Sequence, residues 1–104
     1  MKDKLLPIFM EKVCSILEIS KAELFCQTKE QDNTTARQLI WALAHYRNIP
    51  GIKITSFMNS EGEPFGYSVT NSTVSKGVRS FLRKMEIDTD LRILFNKLKD
   101  ESIF

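Results

Sequence analysis

Apolar residues return at intervals of three and four in separate stretches of this chain, a period that belongs to helices packed on one another. Leu5, Phe9, Val13, Ile16 and Leu17 form one stripe between about Asp3 and Glu18. Leu39, Ile40, Leu43, Ala44 and Tyr46 form a second, Val74, Val78, Phe81, Leu82 and Met85 a third, and Leu91, Leu94, Phe95 and Leu98 a fourth. Side chains recur every 3.6 residues around a helix, so such spacing lays a greasy ribbon along one face. Helices this short are marginal alone in water and must bury their ribbons against each other. The expectation is an all-α fold, a small helical bundle. With 104 residues there is room for one core, so a single domain spans residues 1–104.

Capping residues place the ends. Ser20-Lys-Ala-Glu23 and Thr35-Ala-Arg-Gln38 are capping-box patterns, in which a hydroxyl accepts from an amide three residues on and an acid or amide side chain reaches back. The first opens a short second helix carrying Ala22, Leu24 and Phe25; the second opens a third helix reaching about Arg47. Gln27–Thr35 reads as a polar loop, and Trp41 as an edge residue. Thr70 or Asn71 caps the third ribbon and Asp88 the fourth, while Gly77 permits close approach of a neighbouring helix. Pro7 is tolerated in a first turn, and Pro50 with Gly51 ends the helix before it. Between 52 and 69 the period changes. Ile52-Lys-Ile54-Thr alternates, a polar turn follows, and Phe65-Gly-Tyr67-Ser-Val69 alternates again. This predicts a short β-hairpin or extended insertion, with a short helix through Thr55–Met58 and a loop as the other reading.

Apolar residues at 42% and charged residues at 27% are ordinary for a globular domain, and a formal net charge of +2 names no partner. Cys14 and Cys26 have apolar neighbours and no metal-ligand spacing, so they read as small buried hydrophobes in a reducing, cytoplasmic setting. Glu11 and Lys12 interrupt the N-terminal apolar run, so neither a signal peptide nor a membrane span is expected. The single His45 lies inside a helix. There is no glycine-rich phosphate loop and no nucleophile elbow, and Glu61 and Glu63 read as solvated turn carboxylates. No enzymatic activity, cofactor or metal is expected.

Charge is organised locally instead. Between Thr70 and Met85 there is no acidic residue, and Ser72, Ser75, Lys76, Arg79 and Arg83 lie opposite the apolar ribbon. A helix of that length is about 22 Å long, and the DNA major groove admits such a cylinder. Thr70-Asn71-Ser72-Thr73 brings short polar side chains to its positive, amide-rich end, suited to phosphates and base edges. Spacing alone is equally compatible with a capped helix whose basic face is simply solvated.

Three stretches in order add to this reading. Val13–Phe25, then Ala36-Arg-Gln-Leu-Ile-Trp-Ala-Leu-Ala44, then Asn71-Ser-Thr-Val-Ser-Lys-Gly-Val78 resemble the C-terminal DNA-binding domain of DnaA replication initiators. The resemblance covers most of the chain from Val13 to about Leu98, as a free-standing module without the ATPase domain. It implies a Trp-repressor-like helix-turn-helix whose recognition helix starts near Thr70 and enters the major groove of double-stranded DNA. On that alignment Asn71 and Ser72 fall where the family reads bases, with Thr73 and Lys76 near base or backbone. Arg37 and Gln38 match a pair that grips phosphate at a helix start, and Lys29 matches a basic-loop arginine that enters the minor groove. Arg79 and Arg83 extend the basic face. The alternative is a protein-interaction module that uses the 52–69 insertion, with Phe57, Met58, Phe65 and Tyr67 as a hydrophobic tip; a protein partner or a second copy of the chain stays open beside DNA.

Overall fold

The computed structural model describes residues 4–26 and 31–101. Helix α3, Gln31–Tyr46, runs through the middle of them, and every residue from Ala36 to Ala44 is buried. A helix enclosed on all sides must be the one the others pack around. Around it lie α1 (Leu5–Leu17), the single turn α2 (Lys21–Leu24), α4 (Gly51–Gly62), α5 (Asn71–Ile87) and α6 (Thr89–Glu101), with a 3-10 turn at Glu63–Phe65. No strand occurs among the described residues. The protein is a small all-α bundle whose core joins Phe9 and Val13 of α1, Leu39, Ile40 and Leu43 of α3, Ile54 and Met58 of α4, and Phe81 of α5. None of the described helices is long and apolar enough to cross a membrane.

The ends follow local chemistry. The Ser20 hydroxyl accepts from the Glu23 amide at 3.1 Å, while the Glu23 carboxylate accepts from the Ser20 amide at 3.2 Å. Thr70 Oγ1 accepts from the Thr73 amide at 3.2 Å, and Asp88 Oδ1 accepts from the amides of Asp90 and Leu91. Helices α1 and α3 close with Glu18 and Asn48 in the left-handed region, and the next residues, Ile19 and Ile49, donate back to Cys14 O and Ala44 O at 3.0 Å. These are Schellman closures, and Ile49 supplies the apolar contact that accompanies them.

Four expectations are corrected. The 52–69 stretch is not a hairpin. Ile54, Thr55, Met58 and Gly62 are buried at helical spacing, whereas Ile52, whose position created the alternation, is 67% exposed. Residues 67–70 form no helix or strand and end in the extended Thr70, and the side-chain amide of Asn59 does the pairing: it donates to Val69 O at 3.0 Å and accepts from Val69 N at 2.7 Å. Gly66, at φ 71, makes the turn that lets the chain double back. Second, α3 begins at Gln31, so Thr35 lies inside a helix and Arg37-Gln38 is not a helix start. Third, Leu82 is 41% exposed and both cysteines are only half-buried.

Fourth, Trp41 is no edge residue. It is 4% exposed and sits where α3 meets α5. A Cβ on Gly77 would stand 2.5 Å from Cε3 and Cζ3 of its indole ring. The glycine therefore sets how closely α5 approaches. The seat is tight enough to hold the indole Nε1 buried with no hydrogen-bond partner among the described residues. Alanine normally stabilises a helix interior over glycine by about 1 kcal/mol. Here Gly77→Ala is expected to reverse that sign and destabilise the domain by about 1–3 kcal/mol, read as a lower chemical-denaturation midpoint and a shift in Trp41 fluorescence.

Candidate nucleic-acid interface

Helix α5 divides cleanly. Val74, Gly77, Val78 and Phe81 face the core, and Asn71, Ser72, Thr73, Ser75, Lys76, Arg79 and Arg83 are exposed on the other side. Lys76, Arg79 and Arg83 fall at i, i+3 and i+7, so their charges form one stripe along the helix. No carboxylate cancels it: the ion pair found among the described residues, Lys21 with Glu61 at 3.2 Å, involves none of them. Together with Ser80, Lys84 and Ile87 they line a shallow depression that contains no acid. The acid of α5 is Glu86, in its last turn. At the other end, Thr70 occupies the N-cap, leaving Asn71 and Ser72 at the exposed first turn with their side chains free of its hydrogen bonds.

A second groove, about 540 Å³, opens between α3, the 66–70 segment and the first half of α5. It gathers residues that are far apart in the chain. Arg37 and Gln38 come from α3, Thr70 and Thr73 from the α5 cap, and Lys76 and Ser80 from α5 itself. Five positions expected to act together from sequence thus share one concavity. Among the described residues no acidic side chain lines the groove, and the polar lining they give it is hydroxyls, amides and cations.

Arg37 has a different position from the one its place in the sequence suggested. Its residue is only 8% exposed, and Nη1 donates to the carbonyls of Leu24, at 2.5 Å, and Cys26, at 3.1 Å. Nη2 donates to Thr34 Oγ1 at 3.4 Å, and the guanidinium lies 5.3 Å from the centre of the Tyr67 ring. The cation therefore ties the carbonyl end of α2, which has no helical donors left, to α3 and to the segment that leads into α5. Burial pushes the Tyr67 phenol above its ordinary pKa, opposed in lesser degree by the Arg37 charge, so the ring stays neutral at physiological pH. Gln38 is also buried, and its Oε1 accepts from Lys84 Nζ at 3.0 Å. Lys29 lies outside the described residues.

Ser80 lines both depressions and was not singled out in the sequence; Lys84, which lies near the basic face by periodicity, and Tyr67, expected in the hydrophobic tip, also line the candidate site. Lys84 follows Ser80 at i+4 and the basic stripe by one residue, a helical-wheel signal; its bond to Gln38 crosses from one helix to another and has no local signature. The proposed hydrophobic tip does not form. Met58 and Tyr67 are in the core, Phe57 is half-buried, and Phe65 stacks on Phe25 with ring centres 5.8 Å apart. Cys14 has its thiol pKa pushed up by burial, with Lys21 acting more weakly in the other direction, which makes it a poor nucleophile. His45 is exposed at the end of α3, and the described residues bring together no cluster of three metal-ligating side chains.

Arg37→Ala is expected to strip the carbonyls of Leu24 and Cys26 of their donor and to destabilise the domain by about 2–3 kcal/mol, the range for lost hydrogen bonds to a charged group. Arg37→Lys should recover little of this, because an ammonium cannot span the same carbonyls while lying flat on Tyr67. Thermal unfolding followed by circular dichroism checks both. Comparison with protein-family models, curated proteins and solved structures finds no match to this chain.

Proposed function

We propose that this protein binds double-stranded DNA, with α5 as the helix that enters the major groove. The observation that carries the reading is the uncancelled basic stripe of Lys76, Arg79 and Arg83 on the exposed face of a helix whose opposite face is locked into the core. A helix held on one side and charged on the other is rigid enough to be placed against a duplex as a unit. Asn71 and Ser72 stand at its exposed, amide-rich end, where short polar side chains reach base edges and phosphates at close range. The resemblance of Asn71–Val78 to the recognition helix of DnaA-type domains points the same way.

Helix α4 strengthens the reading. It directly precedes α5 and packs against it, as the first helix of a helix-turn-helix does. The intervening residues 63–70 exceed the usual turn of about three or four residues. The excess is taken up by the 3-10 turn and by the segment held to Asn59. Arg37 serves this site as a positioning residue, because its contact with Tyr67 fixes the strand of chain that delivers Thr70. The α3–α5 groove beside the stripe offers hydroxyls and amides to the DNA backbone. On this reading Lys76 and Ser80 join the two surfaces, since both line each of them.

Titration of a fluorescent duplex tests the proposal. Binding should weaken with salt, with a log–log slope of about −3 for three phosphate contacts at −0.9 each. Lys76→Glu combined with Arg79→Glu should lower affinity by at least about 30-fold at low salt, by the loss of two contacts and the gain of two repulsions, with the thermal midpoint unchanged, since both side chains are exposed and unpaired. Equal affinity of the double variant and the parent protein would refute the surface. Selection of bound sequences from random duplexes then separates base reading by Asn71 and Ser72 from uniform backbone affinity.

A further inference from the structure

Helix α6 leaves one face without a partner among the described residues, and that face has an order to it. Asp90, Ile93, Leu94 and Lys97 fall at i, i+3, i+4 and i+7, so they lie in one stripe. Ile93 is 61% exposed and Leu94 half-buried, while Asp90 and Lys97 are exposed and take part in no ion pair among the described residues. The stripe is apolar in the middle, negative at one end and positive at the other. Beside it runs a groove of about 680 Å³ between α6 and the ends of α1 and α5, lined by Leu17, Ile19, Leu91 and Leu94. Ile87, the most exposed large apolar residue among the described ones at 88%, stands on its rim. Isolated apolar side chains on a surface need no explanation, but here Leu94 belongs both to the stripe and to the groove, whose lining also holds Thr35, Lys84 and Asp88, and so joins the bare Ile93 to an apolar hollow of the kind that marks an interface.

We propose that this face pairs with the same face of a second copy of the chain, the two α6 helices running antiparallel about a two-fold axis near Ile93. The charge order selects this occupant. In the antiparallel arrangement Asp90 meets the partner's Lys97, and Lys97 meets the partner's Asp90, while Ile93 lies beside the partner's Leu94. A parallel arrangement would set each acid against its own copy. Helix-terminus electrostatics favours an acid early in α6 and a base late, but it does not account for the bare isoleucine between them. A two-fold interface uses one self-complementary patch twice, and this stripe is self-complementary. The inference stands apart from the nucleic-acid reading, since it uses neither the α5 stripe nor the α3–α5 groove. It has a geometric consequence for that reading: Lys84 and Ile87 line both the groove at α6 and the basic depression, so the pair would bring two basic faces to the edges of one interface.

Sedimentation equilibrium of the full chain without nucleic acid, at about 50 mM salt where surface charges act over roughly 10–15 Å, is the test. The parent protein should show a concentration-dependent monomer–dimer equilibrium. Ile93→Glu should raise the dimer dissociation constant at least about tenfold, and Asp90→Lys or Lys97→Glu should each raise it several-fold by placing like charges opposite each other. Asp90→Lys with Lys97→Glu restores opposite charges across the axis and should return the constant to within about threefold of the parent. That doubly reversed helix has both charges wrong for its own termini, so recovery of the dimer cannot come from a steadier α6; circular dichroism confirms that each variant is folded. A parent protein that stays monomeric up to about millimolar concentration overturns the proposal and assigns the groove to a partner of different sequence. A dimer indifferent to Ile93→Glu, or one the double reversal fails to restore, overturns it equally.

Discussion

The contact between Gly77 and Trp41 governs most of what this fold can do. A large indole on the central helix needs a partner helix with no side chain at the crossing point, and α5 provides one. Once the two backbones are that close, Val74, Val78 and Phe81 have no choice but to enter the core. Lys76, Arg79 and Arg83 then have no choice but to leave it. The exposed basic stripe is thus a consequence of packing on the other side of the same helix. A side chain added at Gly77 would act on both faces at once, loosening the core and tilting the charges.

A second constraint concerns the delivery of α5. The segment before it belongs to no helix and has no neighbouring strand among the described residues, and a backbone in that state ordinarily leaves its amides to water. Asn59 supplies an acceptor and a donor to one residue, Val69, much as an adjacent strand would. Tyr67, two residues earlier, is gripped between Phe25 and the Arg37 guanidinium, with ring centres 5.3 Å apart in the first case. Among the described residues no carboxylate neutralises the buried cation; carbonyl oxygens and a ring face surround it instead. Such an arrangement is specific in geometry because none of its partners can be replaced by a nearby solvent-exposed group.

How much of this was legible in the chain depends on the range of the interactions. The capping box at Ser20, the caps at Thr70 and Asp88, and the ribbons of α1, α5 and α6 are local, and they stand in the structure where periodicity puts them except at the ribbon edges, where Ile16 and Leu82 are exposed. The acid-free exposed face of α5 is local as well. Helix α4 was only half legible: the helix read through Thr55–Met58 lies inside it, but two isoleucines one residue apart imitate a strand, and only Ile54 of the two is buried. The early start of α3 was hidden because its first turn, Gln31 to Thr34, has no apolar period at all. The seat of Arg37 was hidden because its partners lie on α2 and on the 66–70 segment, and nothing in the Ala-Arg-Gln run distinguishes a guanidinium that faces a phosphate from one that faces carbonyls.

The two surfaces that remain bare differ in kind, and the difference sets how they can cooperate. The α5 stripe is charged and exposed, so its attraction for a polyanion fades with salt. The α6 face is apolar at its centre with a charge at each end, so most of its attraction for another such face survives salt while its orientation does not. They meet at Lys84 and Ile87, which belong to both. If a duplex engages the basic faces of two copies together, each binding event holds the copies near one another, and the free energy by which DNA favours pairing must equal that by which pairing favours DNA. A chain of this size, with three free cations in its stripe, has little to hold a duplex by alone. Two such stripes on one rigid body double the charge without adding a contact to either copy, because the second becomes an intramolecular event.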